Sequence, residues 1–123
     1  MTDTAVSKPG DIRHIEIPAK DLETARMFYS TVFGWTIQRN TPSSAYWFFD
    51  AGNVAGAFDA GRTPSDDGVC LILEVDDIPS TLDRIVRLGG EQLADKSALP
   101  DELGYIACFR DPNGVRMELW SKT

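Results

Sequence analysis

Two copies of one pattern make up the sequence, and this repeat limits the fold more than any other feature. Residues 14–34 align with residues 70–90 at a constant offset of 56. Further along, residues 50–58 (DAGNVAGAF) align with residues 111–119 (DPNGVRMEL) at an offset of 61. A unit of this size cannot bury its own apolar face. Two copies therefore predict a pseudo-symmetric fold with a cavity between them.

Each copy has the pattern of a strand, a helix and three further strands. Asp21 and Asp77 stand where a helix N-cap is expected, and Gly34 and Gly90 stand where the helices end. Alternating apolar residues and turn residues predict the strands at 11–17, 35–39, 45–50, 54–58, 69–75, 91–94, 104–110 and 115–121. The order βαβββ, found twice, predicts an α+β fold in which each helix covers one face of a sheet.

The length predicts a single domain with one core. At 123 residues it divides into a flexible N-terminal tail (1–10), module one (11–58), a connector (59–68) and module two (69–121). The net charge of −7 opposes binding to nucleic acid or to an anionic membrane surface. No apolar run approaches the ~20 residues that a membrane span needs, and no signal peptide is evident. We therefore expect a cytoplasmic protein.

Cys70 and Cys108 lie in apolar segments that we predict to be strands. Two buried free thiols are typical of such positions in a reducing compartment, and a disulfide is the alternative. We expect the free thiols.

Alternation along the strands predicts which side chains share the face turned away from the helices. In the first strand, His14 and Glu16 lie on that face because their apolar neighbours pack on the helix. The repeat places Cys70 at the position equivalent to His14. In the last strand, the same reasoning places Glu118 on this face, with Ala57 as its counterpart in module one.

Arg116 and Trp120 lie two residues on either side of Glu118 and share its face. We expect Trp120 to stack on a ligand, because an apolar cavity with a few polar groups is the usual form of a small-molecule site. Arg116 is expected either to pair with an anionic substrate, to pair with Glu16, or to be solvated.

Aromatic residues are concentrated in the strand predicted at 45–50 in module one. Alternation directs either Tyr46 and Phe48 or Trp47 and Phe49 to the cavity, and the sequence does not decide between them.

At these residues the chain resembles the vicinal oxygen chelate superfamily, which includes glyoxalase I, extradiol dioxygenases, fosfomycin-resistance enzymes and bleomycin-resistance proteins. In the first half the resemblance is carried by HIEIP (14–18), DLE (21–23), FY (28–29) and FGW (33–35). In the second half it is carried by EVDD (74–77), LGG (88–90), DPNG (111–114) and ELW (118–120). It covers residues 11–121 and implies a curved mixed sheet around a central cavity, in a glyoxalase-related branch of unknown substrate.

The resemblance also implies where a metal ion would be held. Metal-dependent members place ligands on the first and last strands of each module, and His14 and Glu118 match that pattern. Cys70 stands where a second histidine is usual, and Ala57 stands where glyoxalase I has a carboxylate. One hypothesis is a divalent metal (Zn, Fe, Ni or Mn) on His14, Glu118 and Cys70. The other is a metal-free pocket in which His14, Glu16 and Glu118 perform acid–base chemistry.

Two classes of function are compatible with these features. The first is a small-molecule enzyme of lyase, isomerase or oxygenase type, acting on a compact oxygenated substrate. The alternative is a protein that binds and sequesters a small molecule without catalysis, as bleomycin-resistance proteins do. The acidic charge suits a cationic ligand in that case. The resemblance implies a homodimer in both.

Overall fold

The computed structural model describes residues 8–9, 11–39 and 44–123. Most of the tail predicted at residues 1–10 lies outside these ranges. Module one consists of β1 (Ile15–Pro18), α1 (Leu22–Phe33), β2 (Thr36–Ile37), β3 (Tyr46–Asp50) and β4 (Ala55–Asp59). Module two consists of β5 (Ile72–Glu74), α2 (Ile78–Arg87), β6 (Glu91–Ala98), β7 (Tyr105–Arg110) and β8 (Arg116–Ser121), with a 3₁₀ turn at Pro100–Glu102. The predicted order βαβββ is confirmed in both modules.

The two helices begin in the same way, as the repeat predicts. The Asp21 carboxylate accepts a hydrogen bond from the Thr24 backbone N–H at 3.0 Å, and the Asp77 carboxylate accepts one from the Ser80 N–H at 3.1 Å. Each bond satisfies a donor that the first helical turn leaves without a partner. Gly34 follows α1 with a φ of 73°, a left-handed conformation that glycine adopts without strain.

Each module forms its own four-stranded mixed sheet. The strand orders are β1-β4-β3-β2 and β5-β8-β7-β6, and the first pair in each order is parallel. Ile15 pairs with Gly56 in module one, and Ile72 pairs with Glu118 in module two. These registers agree with the two offsets read from the sequence. The α+β prediction of two βαβββ modules is therefore confirmed.

One hydrophobic core joins the two modules. It contains apolar residues of both helices and of one face of each sheet, and the rings of Phe28 and Phe109 meet across the module boundary with centroids 6.3 Å apart. The opposite face of the two sheets, which carries His14, Glu16, Glu118 and Trp120, is named the open face below. Strand β8 shows the division directly, because Met117 and Leu119 are buried while their neighbours are half-exposed.

Four predicted strands differ from the structure by more than one residue at an end, and the one predicted at 35–39 shrinks to Thr36–Ile37. The strand predicted at 11–17 begins only at Ile15, and the one predicted at 69–75 shrinks to Ile72–Glu74. β1 pairs with β4 over four residues and β5 pairs with β8 over three, so the extent of pairing rather than apolar alternation sets their length. The strand predicted at 91–94 extends to Ala98. All eight of its residues are exposed, so no apolar period marks its full length.

Among the residues described, neither helix has the length and apolar character needed to cross a membrane.

Candidate functional site

A chain of hydrogen bonds crosses the open face of module one. His14 Nε2 lies 2.8 Å from the Tyr46 hydroxyl, which donates to Glu16 Oε2 at 2.7 Å. The other oxygen of the same carboxylate, Glu16 Oε1, accepts from Arg62 Nε at 2.7 Å. We call these four residues the proton relay. It links the exposed imidazole of His14 to the Glu16 carboxylate, each of whose two oxygens accepts a hydrogen bond.

The direction of the bonds assigns the proton on the imidazole. A tyrosine hydroxyl has one proton, and Tyr46 gives it to Glu16, so the hydroxyl accepts from His14. Nε2 of His14 must then carry hydrogen. In the neutral ring this leaves Nδ1 with a lone pair and no proton. The relay therefore orients the ring and leaves one nitrogen able to take up a proton.

Electrostatics hold the Glu16 carboxylate and the Tyr46 hydroxyl each in one protonation state near neutral pH. The hydrogen bond from Tyr46, followed by the one from Arg62, lowers the pKa of Glu16 below its ordinary value of 4.5. The same bond to the carboxylate raises the pKa of the Tyr46 hydroxyl above 10.0. Glu16 thus remains an anion and Tyr46 remains protonated.

Module two places a second polar cluster on the open face. Arg116 Nη1 lies 3.3 Å from Glu118 Oε2 and 3.9 Å from the sulfur of Cys70. Burial raises the pKa of the Cys70 thiol, and the Glu118 carboxylate raises it further. The thiol is therefore disfavoured as a thiolate. Burial likewise raises the pKa of Cys108, and both cysteines are free.

The metal ligands that the sequence predicted are split between the two polar clusters, one in each module. His14 is bonded to Tyr46 in module one, whereas Cys70 and Glu118 gather around Arg116 in module two. Across residues 8–9, 11–39 and 44–123, no three His, Cys, Asp or Glu side chains are grouped so that they would hold a metal ion. The donor set His14, Glu118 and Cys70 therefore does not fit a divalent metal in this arrangement. Glu118 is neutralised by a guanidinium and Cys70 is held as a thiol.

A narrow groove separates the modules where β1 lies near the segment before β5 and the start of β8. Its volume is about 110 Å³, roughly the space of three or four water molecules in the liquid. Glu16 and Arg116 line it from opposite modules. The remaining lining is mainly apolar, from Ile15, Ile17, Pro18, Val69, Leu71, Val115 and Met117. We call it the seam groove. It is the place where groups of both clusters meet.

Ala57 and Trp120, both predicted to contact the substrate, also have contacts within the protein. Ala57 is fully buried at its pairing positions with Glu16 and Phe48, so it does not reach a ligand on the open face. Trp120 does lie on the open face, but its indole N–H already donates to the Leu103 carbonyl at 2.8 Å. Its ring is therefore fixed by the loop that precedes β7.

Aromatic rings surround the imidazole. Tyr46 and Phe48 take the open face, which resolves the alternative left by alternation, while Trp47 and Phe49 are buried. The His14 ring stacks on Tyr46 with centroids 6.2 Å apart and meets the edge of Phe48 at the same separation. Phe48 is 44% exposed, so its ring adds apolar surface beside the imidazole.

The sequence did not identify Tyr46 or Arg62 as site residues. Tyr46 belonged to one of the two sets of side chains that alternation could direct to the cavity. A strong alternation in the partner strand β4 would have been the signal to choose between the two sets. Arg62 belongs to the connector between the modules, where no periodicity assigns a direction to a side chain. The pairing of Glu16 with Arg116, one of the alternatives left open by the sequence, is replaced by the pairing with Arg62.

Sequence comparison relates the chain to known proteins over almost its whole length. A family model described as the Glyoxalase/Bleomycin resistance protein/Dioxygenase superfamily matches residues 11–119. A glyoxylase-like domain-containing protein of Didymella fabae is 33% identical over 85% of this chain and 88% of its own length. A probable lactoylglutathione lyase of Vibrio parahaemolyticus is 28% identical, with 89% of each chain covered.

Structural comparison gives the same fold. A mutant of the fosfomycin resistance protein FosX from Listeria monocytogenes, complexed with Mn(II) and 1S,2S-dihydroxypropylphosphonic acid, superposes with a TM-score of 0.74. The two sequences are 18% identical, and the match covers 94% of this chain and 95% of that one. Proteins of this fold therefore include one that holds a metal ion and a small oxygenated ligand.

Proposed function

The chain belongs to the Glyoxalase/Bleomycin resistance protein/Dioxygenase superfamily, and from that premise we propose that it is a proton-transfer enzyme of lyase or isomerase type. Its substrate is a small oxygenated compound with a C–H bond next to a carbonyl group. The observation that carries the proposal is the bond from His14 through Tyr46 to Glu16, at 2.8 and 2.7 Å. A relative named as a probable lactoylglutathione lyase supports the same reaction class.

In the proposed reaction, Nδ1 of His14 removes the proton from carbon. The electron pair of the C–H bond moves into the carbonyl group and forms an enolate, while the imidazole becomes a cation. Glu16 stabilises that cation through Tyr46, because its carboxylate stays ionised. The same imidazolium then returns the proton to the carbon it came from or, where that carbon carries a hydroxyl group, to the former carbonyl carbon; in the second case the hydroxyl becomes the new carbonyl and its proton passes to the enolate oxygen. Each step conserves its protons and electrons.

Arg116 is proposed to stabilise the enolate oxygen. It lines the seam groove opposite Glu16, so a substrate seated across the groove meets a carboxylate relay on one side and a guanidinium on the other. A cation placed where negative charge develops lowers the barrier more than one that meets the neutral substrate. Binding there requires Arg116 to exchange its 3.3 Å contact with Glu118 for the substrate.

The proposed steps run through the side chains alone. The ligand set first predicted for Zn, Fe, Ni or Mn is not gathered, so no step is assigned to a metal ion. A metal-dependent form of the reaction would need His14 to release Tyr46 and Glu118 to release Arg116. Adding each of these four metals during the assay below distinguishes the two forms.

The test is hydrogen exchange at carbon. Purified protein is incubated in D₂O with a panel of small 2-oxo and 2-hydroxycarbonyl compounds, and loss of the C–H signal is followed by proton NMR. His14→Gln is expected to slow exchange by about 100-fold or more, the usual contribution of a general base. Tyr105→Phe, a tyrosine of β7, is the matched control and keeps the full rate. Undiminished exchange in His14→Gln would refute the proposal.

A second candidate is a binder without catalysis. The exposed aromatic ring of Phe48 beside His14 and Tyr46, on a chain of net charge −7, favours an amphipathic cation as ligand. A panel of cationic drugs that raises the melting temperature, together with no carbon exchange in any substrate, would favour this reading.

A homodimer and a cytoplasmic location are proposed with the function. Ile12 and Val69 are 74% and 94% exposed, and packing against a second copy of the chain would remove this apolar surface from water. The two free thiols favour a reducing compartment. Light scattering on the protein peak eluted from a size-exclusion column measures the oligomeric state directly.

A further inference from the structure

The DPNG turn of module two (Asp111–Gly114) fills a groove on the helix side of the molecule. Asn113 Oδ1 accepts from the Asp21 backbone N–H at 2.8 Å, and Asn113 Nδ2 donates to the Asp21 carbonyl at 3.1 Å. Pro112 lies beside Gly89, where an added Cβ would meet the proline ring at 3.7 Å. The turn thus places a carboxamide at the start of α1 and an apolar ring against the end of α2.

The repeat predicts an equivalent groove at the start of α2. Asp77 is the counterpart of Asp21, and both act as N-caps through the same hydrogen bond. The turn that would fill this second groove has Ala51 in place of Pro112 and Gly52 in place of Asn113. Gly52 has no side-chain amide, so the bridge that Asn113 makes has no counterpart.

The backbone of the two turns differs as well. In module two the left-handed residue is Gly114, with φ of 91°, whereas in module one it is Gly52, with φ of 100°. The left-handed position has therefore moved by one residue relative to the repeat. A side chain grafted onto Gly52 would not take the path of Asn113.

The equivalent groove is present and is large. A depression of about 310 Å³ lies between the end of α1 and the start of α2, which is the lower end of the volumes that hold small ligands. Its walls include Val32, Phe33, Asp77, Ser80, Thr81 and Arg84. It is about three times the volume of the seam groove and lies on the other side of the sheets, so we call it the helix groove.

We infer that the helix groove binds a small ligand with a neutral carboxamide and a compact apolar ring. The internal copy indicates the chemistry, because the corresponding place between the start of α1 and the end of α2 already holds a carboxamide and a proline ring. The ligand C=O accepts from the Asp77 N–H, as Asn113 accepts from Asp21. The ring packs on Val32 and Phe33, which stand where Leu88 and Gly89 stand in the filled groove.

The ligand N–H has a different acceptor from the one in the filled groove. The Asp77 carbonyl already accepts from the Thr81 hydroxyl at 2.7 Å and from the Ser80 hydroxyl at 3.3 Å. Ser80 gives its proton to that carbonyl and keeps its lone pairs. Its hydroxyl oxygen is therefore the acceptor for the amide of the ligand.

Charge selects against a carboxylate in the same place. Glu74, Asp76 and Asp77 line the helix groove against a single cation, Arg84. A ligand carboxylate would meet three carboxylates and would lose the N–H that Ser80 accepts. A neutral amide meets neither cost.

The test uses two probes that differ only in this group, the dipeptides N-acetyl-prolyl-asparaginamide and N-acetyl-prolyl-aspartyl amide. Backbone ¹⁵N–¹H shifts are followed during titration of the full chain. The asparagine probe is expected to shift residues 77–84 and to saturate, and the aspartyl probe is expected to bind about tenfold more weakly, about 1.4 kcal/mol. Absence of shifts in residues 77–84 would overturn the inference, and so would equal affinities.

Two variants locate the site. Ser80→Trp fills the helix groove and is expected to reduce binding of the asparagine probe at least about tenfold. Val86→Trp, an exposed position of α2 away from the groove, is the matched control and leaves it unchanged. Neither variant alters the open face, so carbon exchange continues in both. Retained probe binding in folded Ser80→Trp would refute the site without bearing on the proposed enzyme.

Discussion

Tyr29 and Asp111, 82 residues apart and in different modules, are joined by a buried hydrogen bond of 2.7 Å from the hydroxyl to Oδ2. The other oxygen of the carboxylate, Oδ1, accepts from the backbone N–H groups of Asn113 and Val115 at 2.8 and 2.9 Å. Tyr29 is fully buried and Asp111 is 4% exposed. The bond therefore fixes α1 to the turn before β8, which holds the two halves of the open face in one arrangement.

Removal of the Tyr29 hydroxyl tests this link. Tyr29→Phe leaves the buried Asp111 carboxyl without one of its donors, so the free energy of unfolding is expected to fall by about 1–3 kcal/mol. Urea denaturation followed by tryptophan fluorescence measures the change. Tyr105→Phe, on a half-buried tyrosine, is the control and should change stability by less than about 0.5 kcal/mol. Equal losses in both variants would show that Tyr29 does not link the modules.

Burial gives Asp111 a pH dependence of unusual sign. Desolvation raises the pKa of its carboxyl above 3.8, although its hydrogen bonds act in the opposite direction. Between the unfolded and the folded pKa, the folded state binds more protons than the unfolded one. Stability from this group is therefore full below about pH 3.8 and falls as pH rises through the folded pKa.

The comparison with Asp111→Asn isolates that group. Urea curves at several pH values upward from pH 3.8 are expected to show the wild type losing stability relative to Asp111→Asn as pH rises, by about 1.4 kcal/mol for each pKa unit of difference. The opposite trend would mean that the hydrogen bonds outweigh desolvation and that the pKa is lowered.

The fold was predictable because its signals are local. The N-caps Asp21 and Asp77 and the glycine after α1 mark the helices at a fixed offset, and two copies of one order leave few topologies. The strand β6 was mispredicted at its end because eight exposed residues carry no apolar period. Local chemistry thus defined the modules but not the full length of an edge strand.

The site was predictable only within each module. Alternation gives the face of His14, Glu16 and Glu118, and the structure keeps all three on the open face. It does not give distances between modules. One hypothesis placed His14 and Glu118 on a shared metal ion, whereas in the structure they contact Tyr46 and Arg116. Packing across the module boundary decides that distance, and no sequence period encodes it.

Gly56 of β4 lies opposite Ile15 of β1. A Cβ there would stand 2.0 Å from the Ile15 carbonyl oxygen and 2.6 Å from the Phe49 ring. Because one of these atoms belongs to the backbone, Gly56→Ala must separate the parallel pair, at a cost of about 3 kcal/mol. Gly68→Ala, with no heavy atom within 4 Å of the new Cβ, is the matched control and should be nearly neutral. Thermal denaturation compares the two, and similar melting temperatures would contradict the close approach.

The pKa of Glu16 tests whether the proton relay exists in solution. The bond from Tyr46 is the largest cause of its lowered pKa, and the bond from Arg62 is the next. Tyr46→Phe is therefore expected to raise the pKa of Glu16 toward 4.5 without restoring it fully, because Arg62 remains bonded at 2.7 Å. Side-chain ¹³C NMR across an acid titration measures this directly. Arg62→Gln should raise the pKa by a smaller step. If Tyr46→Phe left the pKa of Glu16 unchanged, the hydroxyl would not be donating to the carboxylate, and His14 would lose the support on which its role as a base depends.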